Sequence, residues 1–150
     1  MKSRFQRSLA LCAIVLTATT AMPPALAASK ETIAISVGRL LEEGHYTRQK
    51  LNEEVSRKFL LSYLELLDFS HLFFTQQDID TLNAKYGNSI AGDVLLGTLK
   101  PAYDIYALYT KRVDGRVAKI KELLKQPIDF KSNATVELSR QKAPWPKDEA

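Results

Sequence analysis

The chain has 150 residues, with 21 lysine or arginine residues against 17 aspartate or glutamate residues and a single cysteine. Three of the basic residues and none of the acidic ones lie in residues 1–27, so the rest of the chain carries a net charge of about +1. This balance argues against nucleic-acid binding, which normally depends on a strongly basic face. Cys12 lies in the same leader, which excludes disulfide bonds and thiol catalysis from the remaining residues.

Residues 1–27 have the layout of a cleaved signal peptide. Lys2, Arg4 and Arg7 precede an apolar run over residues 8–22, which is followed by two prolines and by Ala25-Leu26-Ala27. Small side chains at Ala25 and Ala27 suit the pocket of a signal peptidase. A permanent membrane anchor is the less favoured alternative, because the apolar run is shorter than the roughly 18 to 20 residues that span a bilayer. We therefore predict a periplasmic protein with no stable membrane anchor after cleavage.

The residues after this leader predict one mainly α-helical domain, residues 28–150. Gly44 is expected to end the first helix by adopting a left-handed conformation. The apolar side chains of this helix recur at helical spacing and are expected to form its buried side: Ile33, Val37, Leu40 and Leu41.

A second helix is predicted to begin near Asn52, a favourable capping residue, and to be the central helix of the core because residues 59–67 are apolar on most sides. The loop of residues 68–74 is expected to pack inward, since it carries four large apolar residues and neither glycine nor proline. The core-facing positions of the helix are expected at Leu51, Val55, Phe59, Tyr63 and Leu66 or Leu67.

Two shorter helices and one long helix are predicted next. Thr75 and Asp78 suggest a capped amino terminus for a helix that ends at Gly87, and a further helical piece is expected to break around Gly97. The buried side of the first of these is expected at Ile79, Leu82 and Tyr86.

The long helix is predicted near 101–125, because Pro101 suits a first helical turn and Pro127 cannot continue the helix. Gly115 within it is expected to be either a point of close contact or a weak spot. The apolar stripe of this helix, expected to pack along a neighbour, consists of Ala102, Tyr106, Tyr109, Val113, Val117, Ile120 and Leu124.

Beyond the long helix, alternating apolar residues predict a short β-hairpin near 128–138. The segment that follows, Lys142-Ala143-Pro144-Trp145-Pro146, cannot form regular structure because its prolines lack amide donors. Pro144, Trp145 and Pro146 are candidate domain-docking residues, and Trp145 is expected to pack against the helices.

The search for catalytic, cofactor-binding or metal-binding residues yields none that we assign. His45 and His71 lack the spacing of metal ligands and are interpreted as turn or packing residues. Ser139 and Lys142 fit the S-x-x-K pattern of serine acyl enzymes, but that pattern needs a helix, whereas Pro144 follows at once. The basic residues of the long helix are interpreted as a solvated face in preference to a site for an acidic partner.

A family resemblance is carried by three stretches: His45-Tyr46-Thr47-Arg48, the run from Tyr63 to His71 together with Gln77-Asp78-Ile79, and Ala143-Pro144-Trp145-Pro146. Together they resemble the amino-terminal domain of the tail-specific, or carboxy-terminal processing, serine proteases of the bacterial envelope. The resemblance implies a non-catalytic helical domain ahead of a PDZ domain and of a protease core that uses a serine and lysine dyad. It implies no cofactor.

The resemblance leaves two hypotheses for function. In the first, the chain is the truncated amino-terminal part of a protease that degrades or processes envelope proteins from their carboxy-terminal tails. Its partners would then be the downstream PDZ and protease domains, together with protein substrates or an adaptor. In the second, it is a stand-alone periplasmic interaction module. Neither hypothesis places a catalytic residue within residues 1–150.

Overall fold

The computed structural model describes residues 28–127, 131, 135 and 139–148, and this part of the chain is mainly helical, as predicted. Residues 1–27 and most of the hairpin expected near 128–138 lie outside the described residues. Within the described residues there is no strand, and no helix is both long enough and apolar enough to cross a membrane. The helices are α1 (Lys30–Glu43), α2 (Glu53–Leu67), α3 (Gln76–Tyr86), α4 (Ile90–Leu95) and α5 (Lys100–Leu123).

The central position of α2 is confirmed, because this helix packs against α3, α4 and α5. Asn52 caps its amino terminus by accepting a hydrogen bond from the Val55 amide, also as predicted. The expected core face is correct for Tyr63 and Leu67, which pack against the core, but it misses Leu60 and Leu64, which are fully buried, and includes Phe59, which is 44% exposed. A helix that is apolar on most sides has no single preferred face, so its neighbours decide which side is buried.

The predicted buried side of α1 is wrong. Ile33, Val37, Leu40 and Leu41 are 47–67% exposed, and the opposite side of the helix packs on α4. Gly38 lies in that contact, where a Cβ atom would stand 2.9 Å from Cδ2 of Leu95. Small side chains let two helices approach closely, and this close approach has outweighed burial of the larger apolar residues.

The end of α1 also differs from the prediction. Gly44 has φ −98°, which is a right-handed conformation, and its amide donates to the Leu40 carbonyl at 2.8 Å. The helix therefore ends without a left-handed residue. Glu42, near that end, is part-buried and accepts a hydrogen bond from the Leu51 amide at 2.9 Å. This bond ties the end of α1 to the start of α2.

The helix α3 follows the prediction closely. Thr75 and Asp78 form a reciprocal capping box, and Gly87 is the carboxy-terminal cap. Ile79, Leu82 and Tyr86 are buried in the core, as expected. The next helix, α4, ends just before Gly97, whose φ of +71° confirms the predicted break.

The bounds of α5 are confirmed, but its predicted stripe is only in part its core-facing side. Ile105, which lies outside the stripe, is fully buried, and Leu108 and the stripe residue Tyr109 pack against the core. The exposed positions of the stripe, which are 41–63% accessible, are Tyr106, Val117, Ile120 and Leu124. Gly115 meets nothing within 4 Å, which favours a weak spot over a point of close contact. The second half of α5 therefore extends past the core formed by the described helices.

Candidate functional site in the Asp68 loop and the strap

The loop after α2, residues 68–75, is organised by one buried carboxylate, and we call it the Asp68 loop. Asp68 is 2% exposed and follows the last residue of α2. Its Oδ1 accepts from the Leu72 amide at 2.8 Å, and its Oδ2 accepts from the Phe73 and Phe74 amides at 3.0 Å each. Three backbone donors that point at one carboxylate hold a tight turn without glycine or proline. The prediction that this loop packs inward is thereby confirmed for Phe74, which is fully buried, whereas Phe69 is exposed.

His71 is the residue of this loop that faces the carboxy-terminal segment. Its φ is +50°, a left-handed conformation that is uncommon for a residue with a side chain. The imidazole is buried, and its Nδ1 lies 2.5 Å from the carbonyl oxygen of Ala143. Because a carbonyl oxygen can only accept, Nδ1 must carry the hydrogen and donate it. The interpretation of His71 as a packing residue is correct.

Residues 140–146, which we call the strap, lie against the Asp68 loop. Trp145 stacks on His71 with the ring centroids 3.8 Å apart and an angle of 21° between the ring planes. The indole also packs against the buried core cluster, as predicted for the only tryptophan of the chain. Of the three candidate docking residues, Trp145 contacts the loop between α2 and α3 within the domain itself.

The strap also caps α3. The Gln76 amide, at the first position of α3, donates to the carbonyl oxygen of Pro146 at 2.8 Å. Amides in the first turn of a helix have no partner within the helix, so a carbonyl from outside satisfies one of them. Pro146 has no amide hydrogen, but its carbonyl is free to accept. Pro146 therefore contributes to the amino terminus of α3 alongside the Thr75 and Asp78 capping box.

An ion pair fastens this end of α3 to α5. Arg112 Nε donates to Asp78 Oδ2 at 2.8 Å, and Arg112 Nη2 donates to Asp78 Oδ1 at 2.7 Å. Burial alone would raise the pKa of Asp78, but the hydrogen bonds from Arg112 and Thr75 outweigh burial and hold the pKa below its ordinary value. One turn further along α5, Arg116 Nη2 donates to the Leu72 carbonyl at 2.9 Å. Two arginines of α5 therefore hold the Asp68 loop and α3.

The S-x-x-K residues are not arranged as in an acyl enzyme. Ser139 and Lys142 are exposed and lie outside any helix, and the Ala143 amide closes a turn on the Arg140 carbonyl at 2.8 Å. The helical geometry that lets a lysine activate the serine one turn away is not formed. His45 is exposed and hydrogen-bonds to Thr47, in agreement with its interpretation as a turn residue. Among residues 28–127 and 139–148, no group of three or more histidine, cysteine or acidic side chains is placed to hold a metal ion.

Sequence reasoning identified Trp145 and the Thr75 and Asp78 cap but missed the roles of Asp68 and Arg112 in this site. Asp68 could have been found, since an aspartate directly after a helix, before a loop without glycine or proline, is a common acceptor for loop amides. The pairing of Asp78 with Arg112 carries no local pattern, because 34 positions separate the two residues. The predicted cleavage residues Ala25 and Ala27 lie outside the described residues.

These contacts define a helical domain in which the described residues form five helices and a strap that is docked on their core. The chain belongs to the family described as the tail-specific protease N-terminal domain, which matches residues 37–150. It is also 33% identical over 127 residues to the tail-specific protease of Haemophilus influenzae. That similarity covers 85% of this chain and 18% of the relative, so the chain spans less than a fifth of that protein.

Proposed function

We propose that the chain is the non-catalytic helical amino-terminal domain of a periplasmic tail-specific serine protease, which degrades or processes envelope proteins from their carboxy-terminal tails. The observation that carries this proposal is the family match over residues 37–150, combined with a relative of which the chain covers 18%. A domain of this size, matched to one part of a much longer protease, serves that protease as a module.

The chemistry of the described residues supports a non-catalytic role. Ser139 and Lys142 are the only motif that suggested a nucleophile and its base, and both are exposed in an irregular segment. A serine needs a neighbouring base within hydrogen-bonding reach to become nucleophilic. In the family that the chain resembles, the serine and lysine dyad belongs to the protease core and not to this domain.

Exposed apolar regions of the surface are consistent with binding to other parts of the same protease, namely PDZ and protease domains that would follow this one. Protein substrates or an adaptor would be further partners. The exposed apolar side of α1, with Ile33, Val37 and Leu40, is one region without cover from the described residues. The second half of α5, with Val117, Ile120 and Leu124, is another. Apolar surface of this kind often marks an interaction site. The signal peptide predicted for residues 1–27 would deliver the domain to the periplasm.

The experiment is a cleavage assay on gels. The purified chain is incubated with an unfolded protein that ends in an apolar carboxy-terminal tail, and the Ser139→Ala variant is the matched control. We expect no cleavage by either form. Cleavage by the wild type that disappears in Ser139→Ala would overturn the non-catalytic role.

The gene itself provides the second test. Nucleotide sequence beyond codon 150 that continues into PDZ and protease sequence supports the proposal. A stop codon there would favour the alternative of a stand-alone interaction module.

A further inference from the structure

We propose that the strap is a conformational latch: when docked, it holds the Asp68 loop and the first turn of α3 in place, and its release loosens both. Through the latch, a partner bound to the chain beyond Asp148 would change the contact between α3 and α5. The contacts of the strap include those of the Ala143 carbonyl, the Trp145 ring and the Pro146 carbonyl.

The first step of the coupling is the backbone of His71. The left-handed conformation of His71 is unfavourable by itself and persists only where surrounding contacts stabilise it. Here the strap provides such contacts, since the imidazole both donates to the Ala143 carbonyl and stacks on Trp145. Without the strap, His71 would relax toward an ordinary conformation. The amides of Leu72, Phe73 and Phe74, which follow directly and converge on Asp68, would then lose their alignment.

The second step is the amino terminus of α3. Release of Pro146 leaves the Gln76 amide without its acceptor, and Gln76 lies two residues before Asp78. Asp78 in turn holds Arg112 of α5 through two hydrogen bonds. The capping box of Thr75 and Asp78 then holds the first turn of α3 with one hydrogen bond fewer beside it, which weakens the turn that positions Asp78.

The strap is suited to reversible release. Pro144 and Pro146 prevent it from joining a helix or the middle of a sheet, so side-chain packing and hydrogen bonds such as those accepted by Ala143 and Pro146 fix it in place. Segments at the periphery of a domain open at a lower free energy than the core. A domain that follows Asp148 would favour either the docked or the released strap, and this last point rests on the proposed function.

The test is native-state hydrogen exchange of the wild-type chain in increasing denaturant. We expect the amides of Ala143, Leu72, Phe73, Phe74 and Gln76 to exchange through one shared opening, at a lower free energy than the amides of α2. Separate openings for Ala143 and for the Asp68 loop amides would overturn the latch. This measurement needs no variant and no protease activity, so its failure is distinguishable from failure of the proposed function.

A variant provides the second measurement. In Trp145→Ala we expect exchange to accelerate about tenfold more at Leu72, Phe73, Phe74 and Gln76 than in α1 and α4, where it changes only with the stability of the whole domain. Tyr46→Ala is the matched control. Like Trp145, Tyr46 is an aromatic residue next to a histidine ring, but its own side chain is 90% exposed. A change confined to residues 143–148, or one spread evenly over all helices, would contradict the coupling.

Discussion

Asp78 and Arg112 join the start of α3 to the middle of α5 through two parallel hydrogen bonds of 2.7 and 2.8 Å. The pair connects residues 34 positions apart and is largely removed from solvent, with side-chain exposures of 9% for Asp78 and 21% for Arg112. A planar guanidinium that meets a carboxylate in this way fixes the relative orientation of two helices as well as their distance.

The ion pair predicts a specific loss of stability in acid. The pKa of Asp78 in the folded protein is below the ordinary value of 3.8. The ion pair therefore stabilises the fold fully above about pH 4, and this stabilisation is lost as the pH falls through the folded pKa. Asp104 acts in the same direction, because hydrogen bonds from Lys100 and Tyr86 lower its pKa to about 2. We therefore expect the denaturant midpoint of the wild type to fall steadily below about pH 4.

Arg112→Met isolates the contribution of Asp78 from that of Asp104. At pH 7 the variant should be less stable by about 2 kcal/mol, because a largely buried carboxylate is left without its partner. Its further loss between about pH 4 and pH 2 should be smaller than in the wild type, since the guanidinium no longer lowers the Asp78 pKa. The control is Lys58→Met, which removes an exposed pair with Glu54. Equal acid sensitivity in the wild type and Arg112→Met would show that the pair does not set the acid response.

Trp145→Ala should destabilise the domain by about 2 kcal/mol, less than a fully buried tryptophan would, because part of the ring remains accessible. Chemical denaturation at pH 7 measures the difference, and Tyr46→Ala should leave the midpoint almost unchanged. Coincident midpoints for wild type and Trp145→Ala would mean that the strap is not docked in solution. Since Trp145 is the only tryptophan, its fluorescence reports the docking directly.

Two glycines should respond in opposite directions to substitution. Gly115→Ala should raise stability by about 0.5 to 1 kcal/mol, because the new methyl group meets open space and alanine favours the helix. Gly38→Leu should lower stability by about 1 to 3 kcal/mol, since the added side chain would push α4 away from α1. Thermal or chemical unfolding of both variants checks this, and a stabilised Gly38→Leu would disprove the close contact between α1 and α4.

The burial of apolar side chains on α1 and α2 can be tested in the same way. Leu64→Ala should cost about 2 to 5 kcal/mol, because Leu64 is fully buried in α2. Leu40→Ala should stay within about 0.5 kcal/mol, since that side chain is 67% exposed on α1. A comparable loss in both variants would restore the original expectation that Leu40 is a core residue.

The predicted signal peptide determines the expected mass of the mature protein. Protein recovered from the periplasm should begin at Ala28, because Ala25 and Ala27 provide the small side chains that signal peptidase requires. Intact mass spectrometry checks this directly. A stable membrane-bound product that still begins at Met1 would contradict both the cleavage and the periplasmic location.

The sequence by itself determined the helices of this protein and most of their ends. Asn52, the Thr75 and Asp78 box, Gly87 and Gly97 act on the backbone within a few residues of themselves, so their effect can be predicted without knowing the fold. The family resemblance was visible for a similar reason, since it rests on short runs of neighbouring residues such as Ala143-Pro144-Trp145-Pro146.

Only the tertiary structure decided which faces are buried and where the strap docks. The side of α1 around Gly38 packs on α4, and the apolar side around Leu40 is exposed, because close packing between helices depends on the shape of the partner surface. The partners of His71 and Asp78 lie 72 and 34 positions further along the chain, at distances set by the packing of whole helices. Local periodicity carries no information about such separations, and for that reason the residues that the strap contacts became known only from the folded chain.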